Sequence, residues 1–454
     1  MMTEGQQKRF AEYTANRESP AAKRLASLFD DNSFTEINSA LSEGGRPAGV
    51  VTGHGFIGGS PAYAFMQDSE AMGGAVCAGH REKLCRVLEL AARNGVPVVG
   101  VYDSRGAFVE DGAAALNFYS DIMGRLSELS GVVPTVSVIS GVCAGCMAMT
   151  ACSADYIVMT EDAQLYPETA SDSSAKAAAG KGIISGTAAD IDEAFGKVRS
   201  FLSLMPLNNL SAVPEFEAEE SGVTDLSDPA AAARSVADRD SLFEISPDFG
   251  KAAMTALCTV GGVAAGIAAV GAPGQVLYGD DLSKIARFIR LCDAYGLPII
   301  TIVDCEGAKV DCGNSMRAFS RVSGAYAEAV CPKIALVTGK ACGNVFVAFA
   351  GKNTSADAVF ALPGAVIAPM EPEAAVEFLW HDRLKGAADL AAKRKELAAE
   401  YCETMASAFD AAAKGAVDEV VSGNEVRQQI ISVMEISSGK RLNKRLPKRH
   451  TISF

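Results

Sequence analysis

The chain has 454 residues, a formal net charge of −14, and 49% hydrophobic residues with 43 glycines, a profile that suits two or three closely packed α/β domains. The acidic balance argues against a nucleic-acid partner, which would want a basic surface. No apolar run of about 18 residues suggests a membrane span, and the start MMTEGQQKRF lacks the apolar core of a signal peptide, so a cytoplasmic protein is expected.

Residues 1 to about 45 read as a helical arm, in which Ala21 to Phe29 is amphipathic and Asp31 to Ser33 breaks the pattern. VVTGHGFIGG and PAYAFMQD follow as short β-like runs, with a hairpin break at Gly58 and Gly59. His80 to Asn94 places Leu84, Val87, Leu88 and Ala91 at helical spacing, and Gly95 is positioned as its C-terminal cap. Val96 to Val101 predicts a buried strand ending in YDSRGA, and a helix is expected from about Ala113 to Leu129. Val132 to Ile139, interrupted by Pro134, predicts a second buried strand. It runs into SGVCAGCMAM (Ser140 to Met149), a stretch of glycine and small residues that reads as a turn opening a helix. The β-α-β-α order implies a mostly parallel sheet with helical crossovers.

Residues 165 to 248 are rich in Ala, Ser, Asp and Glu with weak periodicity, and predict peripheral helices and loops with a linker from 211 to 248. From Met254 the earlier pattern returns. KIARFIRLCDAYGLPIITIVDCEGA aligns with KLCRVLELAARNGVPVVGVYDSRGA, matching Gly95 with Gly296, Pro97 with Pro298, Asp103 with Asp304 and Gly106 with Gly307. Further on, Pro134 matches Pro332, Gly141 matches Gly339, Gly145 matches Gly343 and Asp155 matches Asp357, always about 200 residues apart. An ordered series of this length identifies an internal duplication. The expected organisation is an arm (1–45), a first domain (46–210), a linker (211–248) and a second domain (249–454). Within the last, Leu384 to Ala412 predicts a helix for packing or subunit contact. The basic run Gly439 to His450 is either a solvated tail or a contact for an anionic ligand or acidic subunit.

Twelve scattered cysteines without a secretion signal do not form a disulfide framework. Cys143 and Cys146 make a C-x-x-C, which leaves a redox pair open but lacks the second pair a zinc ribbon needs. Four dispersed histidines suggest no metal site.

A strand that breaks into small residues before a helix leaves backbone N–H groups unpaired, and such groups stabilise an oxyanion without any side chain. The arrangement occurs twice, at Ser140 to Met149 and again in VTGKACGNVFVAFA (Val337 to Ala350). Two such turns suggest chemistry on two carbonyl groups. Asp103 and Asp304, at matching strand ends, read as caps of the turns that follow them. For Arg105, binding of a phosphate or carboxylate competes with an ion pair to Glu110 or Asp111. Lys340 and Lys352 flank the second turn as anion-attracting groups or as solvated charges.

GVVTGHGFIGGSPAYAFMQD, AMGGAVCAGHREKLCRVLELA, GVPVVGVYDSRGA and SGVCAGCMAM resemble, in order, the N-terminal half of biotin-dependent carboxyltransferases. These include the β-type subunits of acyl-CoA carboxylases and the matching subunits of glutaconyl- and methylmalonyl-CoA decarboxylases. SKIARFIRLCDAYGLPIITIVD, YAEAVCPKIALVTGKACGNVFVAFAGKNTSADAVFALP and the terminal LPKRH resemble the second half. The resemblance runs from about Arg24 to Phe454 and is weak only between about 170 and 250. It implies two duplicated crotonase-like ββα-spiral domains, the first binding acyl-CoA and the second carboxybiotin. The reaction would take place where the first domain of one subunit meets the second of another, in a dimer or hexamer.

By the same resemblance, the main-chain N–H groups of Gly145 and Cys146 hold a thioester enolate. Those of Gly343, Asn344 and Val345 hold the ureido oxygen of biotin. Arg105, Gly106, Ala144, Lys340 and Cys342 contribute to substrate binding. No protein base is needed, because the biotin nitrogen freed of its carboxyl group takes the proton. Cys146 and Asn344 stand where the family has a second glycine, and a Cys at positive φ would be strained, while Asn tolerates that geometry. The chain has no biotin-attachment Met-Lys-Met and no ATP-binding domain. The implied partners are therefore a biotin carboxyl carrier protein and either a biotin carboxylase or membrane decarboxylase subunits. Two alternatives stand beside this reading. One is a non-catalytic paralogue that scaffolds such a complex; the other is a crotonase-type enzyme without biotin, which would need a side-chain acid or base near Gly145.

Overall fold

An antiparallel hairpin opens the sheet of the first half. β1 (Val50–Ile57) and β2 (Ser60–Gln67) join through Gly58 and Gly59, whose φ values of 56° and 76° suit glycine alone in a tight two-residue turn. Asp30 closes the turn, its two carboxylate oxygens accepting from the N–H groups of Gly58 and Gly59 at 2.9 and 2.8 Å. The helix α1 (Ala78–Asn94) buries Leu84, Val87, Leu88 and Ala91 and stops at Gly95, which is left-handed as its sequence position predicts. It leads into β3 (Val98–Ser104), parallel to β2; α2 (Ala114–Leu129) then leads into β4 (Thr135–Ala144), parallel to β3.

β4 does not start where the apolar run starts. Pro134 has no N–H for the ladder, so the strand begins at Thr135, while the Pro134 carbonyl accepts from Val98 N–H. Nor does β4 stop at Ser140. It continues through the small residues to Ala144, because it changes partner on the way. Val136 to Ile139 pair with β5 (Tyr156–Thr160), and Val142 to Ala144 pair with β6 (Gln164–Tyr166). A register shift on β3 between Tyr102 and Ser104 marks the bend. The eight-stranded sheet is completed at its edges by Thr35–Glu36 and Gly186–Ala188.

The second half repeats this plan. α4 (Pro229–Val236) lies within the stretch read from the sequence as a linker, and its Ala232, Ala233 and Val236 are buried in a core. Alanine carries little hydrophobic signal, yet its small side chain lets a helix lie close against strands. β7 (Ala253–Val260) and β8 (Val263–Val270) form the hairpin, and α5 (Gly279–Ala294) leads to β9 (Ile299–Cys305). α6 (Gly313–Glu328) leads to β10 (Lys333–Cys342), which pairs first with β11 (Ala358–Ala361) and then with β12 (Val366–Ala368). This sheet is also eight-stranded.

The computed structural model describes residues 2–16, 19–166, 172–222, 224–309, 313–352 and 354–440, and the chain divides into units of residues 1–212 and 213–445. The basic run and the LPKRH motif lie, from residue 441 onward, outside the described residues. No described helix is long and apolar enough to cross a membrane.

Candidate active site

Each half ends its long strand in the same way. Asp103 sits at the end of β3, and its Oδ1 accepts from Val142 N–H at 3.2 Å; in the second half Asp304 Oδ1 accepts from Lys340 N–H at 2.8 Å. These bonds fix the bend in β4 and β10, and they require glycine beside them. A Cβ on Gly141 would lie 2.2 Å from Asp103 Oδ1, and one on Gly339 would lie 2.3 Å from the Asp304 carboxyl carbon. The two aspartates are therefore structural caps. The strand starts are matched as well: Asp155 accepts from Thr135 N–H at 3.0 Å, and Asp357 accepts from Lys333 N–H at 2.9 Å.

After the bend comes a glycine that turns the chain into a short helix. Gly145, with φ 60° and ψ −131°, precedes α3 (Cys146–Ala151), and Gly343, with φ 53° and ψ −121°, precedes α7 (Asn344–Phe349). An L side chain is strained in that conformation, so glycine is required at both points. The second position of each turn differs from expectation in a useful way. Cys146 and Asn344 are the first helical residues and neither has a positive φ, so the side chains impose no backbone strain.

The donors are shared out unevenly. Gly145 N–H donates to the Tyr166 carbonyl at 3.2 Å, and Gly343 N–H donates to the Ala368 carbonyl at 2.9 Å. These two groups, expected from the sequence to face a ligand, instead hold the turns to β6 and β12. The first helical N–H groups have no carbonyl one turn back. Those of Cys146, Asn344 and Val345 have no hydrogen-bond partner among the described residues. Asn344 is exposed and Cys146 half-buried, whereas the Val345 side chain is buried and only its main chain is available. Ala144 is half-buried beside the first turn, and Cys342 is buried beside the second.

Around these turns the side chains diverge. Arg105 is exposed, lays its stem against Gly73, and forms no ion pair among the described residues. Gly106, with φ 109°, donates its N–H to Ser104 Oγ at 3.1 Å. Lys340 is not a free cation: its Nζ meets the carboxylates of both Glu306 and Glu371. Burial disfavours its charge, but hydrogen bonds and charges from Glu306 and Glu371 outweigh that and hold its pKa above the usual value. Lys352 pairs with Asp418 at 2.6 Å.

Cys143 is fully buried, and burial pushes its thiol pKa up, the reverse of what a reactive C-x-x-C needs. Sequence reasoning did not find Glu306 and Glu371 as the partners of Lys340. Glu306 was in view, since it aligns with Arg105; Glu371 is remote in sequence and gave no signal. Nor did it find Tyr119, whose buried hydroxyl has no hydrogen-bond partner among the described residues and lies near Cys146 and Cys143.

The carboxyl transferase domain model matches residues 12–452. The methylmalonyl-CoA decarboxylase subunit alpha of Propionigenium modestum is 33% identical over 98% of this chain and 94% of its own length. The propionyl-CoA carboxylase beta chain of Cereibacter sphaeroides is 30% identical over 93% of this chain and 91% of its own. Among solved structures, the hexameric transcarboxylase 12S with methylmalonyl-CoA bound superimposes with a TM-score of 0.89 at 28% identity, covering 99% of this chain and 98% of that one. The two halves are crotonase-like units. With the same glycine turn ending the long strand of each half, the chain belongs to the carboxyl transferase family.

Proposed function

We infer that this chain is a biotin-dependent carboxyltransferase subunit that moves a carboxyl group between carboxybiotin and a short acyl-CoA. The observation that carries this is the repeated turn with open main-chain donors, at Cys146 in one half and at Asn344 and Val345 in the other. We assign the first turn to the thioester and the second to the ureido group. Negative charge developing on the thioester oxygen as the α-carbon loses its proton is met by Cys146 N–H. Asn344 and Val345 N–H meet the charge that develops on the ureido oxygen as its carboxyl group departs. Both sets are fixed before reaction by the bonds that Gly145, Gly343, Asp103 and Asp304 make, so no reorganisation accompanies the charge.

Asp103, the carboxylate at the bend beside the first turn, accepts from Val142 N–H and serves there as a cap. Biotin, when bound, supplies the base through its ureido nitrogen. The matches fit this catalytic reading and not the scaffolding one.

Relatives are named as subunits of larger enzymes, and the transcarboxylase is a hexamer. We propose likewise a homo-oligomer, dimeric or hexameric, served by a biotin carboxyl carrier protein. Its further partner, a biotin carboxylase or a membrane decarboxylase subunit, sets the direction of the reaction. A cytoplasmic location agrees with the described cysteines, all of which are free thiols. The test is carboxyl exchange between free biotin and labelled short carboxyacyl-CoAs, methylmalonyl-CoA first. Biotin-dependent loss of label is expected, and absence of exchange with every short thioester rejects the proposal.

A further inference from the structure

Asp103 is the residue that the β3–β4 register skips, between the paired Tyr102 and Ser104. Its N–H donates to a side chain, Gln67 Oε1, at 3.2 Å. Gln67 closes β2 and is 1% exposed. The amide nitrogen of Gln67 faces Nε2 of His80, in the first turn of α1, at 3.5 Å, and His80 is fully buried. From Asp103 the line runs on through its carboxylate to Val142 N–H, three residues ahead of Gly145.

The line works in one orientation. Gln67 Oε1 is taken by Asp103 N–H, so Gln67 turns its NH2 to the ring and His80 Nε2 must accept. That requires a neutral imidazole with its proton on Nδ1. The surroundings enforce it: burial first, and then the charge of Lys83, lower the His80 pKa to about 3 against an opposing pull from the Ala75 main chain. Lys83 is itself buried and pairs with Glu36 at 3.8 Å. A protonated ring would offer the amide no lone pair, and the amide would turn over and set its NH2 against Asp103 N–H.

The second half is built differently. Val270 ends β8 as Gln67 ends β2, and a valine has no polar atom to offer Asp304. Asp281 stands where His80 stands, and its carboxylate accepts from Ala252 and Tyr278 N–H at 3.0 and 2.7 Å.

We propose that Gln67 and His80 are positioning residues for the first turn alone: His80 orients the Gln67 amide, Gln67 holds Asp103, and the Asp103 carboxylate fixes the bend that aims Cys146 N–H. The proposal rests on reading the first turn as the thioester site. Both side chains are sealed from substrate, so they act through the aim of a donor whose contact strengthens as charge develops. Their loss therefore shows in kcat rather than in KM.

Steady-state exchange between biotin and labelled methylmalonyl-CoA by the full-length protein tests this. Gln67→Leu keeps the volume and removes both contacts. It should lower kcat about tenfold while KM for either substrate stays within about twofold, since a small misplacement of a reacting group costs rate steeply. Gln67→Glu keeps an oxygen for Asp103 N–H and, protonated in this buried place, an O–H for His80 Nε2, so it should restore most of kcat. His80→Phe leaves the amide without its acceptor and should lower kcat in the same sense but less, which carries the test if Gln67→Leu folds poorly. A folded Gln67→Leu or His80→Phe with wild-type kcat overturns the proposal, as does a loss confined to KM or one that Gln67→Glu shares in full. No exchange by the wild type instead sinks the reading of the first turn as a thioester site, and the positioning role with it.

Discussion

The first and second halves share their main-chain devices and differ in the side chains placed on them. In both, an aspartate caps the hairpin glycines, another holds the bend of the long strand, and a glycine at positive φ turns the chain into a short helix. The side chains at the turns have diverged: Arg105 against Glu306, Val142 against Lys340, Cys146 against Asn344. A duplicated fold can thus keep the same main-chain turn in each copy while the side chains around it take on different charge.

The sharpest break in the comparison is at the hairpins. Asp238 accepts from Gly261 and Gly262 N–H at 3.0 and 2.8 Å and also pairs with Arg427 at 2.6 Å, and its side chain is 3% exposed. Asp30 does the same for Gly58 and Gly59 but at the surface. Asp238→Ala should cost about 3–5 kcal/mol of stability, because it leaves a shielded Arg427 charge uncompensated. Asp30→Ala should cost about 1 kcal/mol. Chemical denaturation of both variants checks this, and equal losses would show that burial is not what separates the halves.

The same contrast has a pH signature. Burial alone would raise the Asp238 pKa, but hydrogen bonds from Arg427, Thr259 and Gly262 and the Arg427 charge lower it below the ordinary carboxylate value. A depressed folded-state pKa stabilises above the unfolded value of about 3.9, and that stabilisation is lost as pH falls from there through the folded value. The Asp238→Ala variant should therefore lose less stability than wild type across that acidic window.

Next come the turns themselves. Gly145→Val and Gly343→Val each place an L side chain at a φ near +60°, and each should lower carboxyl exchange by about 10²–10³-fold if the turn aims an oxyanion donor. Comparable losses in both halves are expected. A variant that folds and keeps full exchange would remove its turn from the chemistry. Asp103→Ala and Asp304→Ala free the bend without touching the donors, and should cost about 1–3 kcal/mol each through the unpaired N–H of Val142 or Lys340. Thermal melts read that cost. Smallest of all, Cys146→Gly and Asn344→Gly should change exchange by less than about threefold, since neither side chain strains the main chain and the N–H remains.

Much of this was legible in the sequence. The spaced matches from Gly95 and Gly296 to Asp155 and Asp357 showed the duplication, and Gly95 marked a helix end that the structure keeps. What was not legible depended on remote partners. Ser140 to Ala144 read as a turn because its residues are small, but pairing with Gln164–Tyr166 makes it strand. The engagement of Gly145 N–H depends on Tyr166, and the pairing of Lys340 depends on Glu371, neither of which is a neighbour in sequence. Pro229–Val236 is not legible because alanine's small side chain gives little hydrophobic contrast between the buried and exposed faces of a helix.

The central claim is that Cys146 N–H, and not its counterpart Asn344, receives the thioester oxygen. A crystal structure with a stable acyl-CoA analogue tests it most directly. The predicted result is a thioester oxygen within hydrogen-bonding distance of Cys146 N–H, with the Asn344 turn free of thioester. A thioester seated at Asn344, or one whose oxygen points away from both turns, would contradict the account.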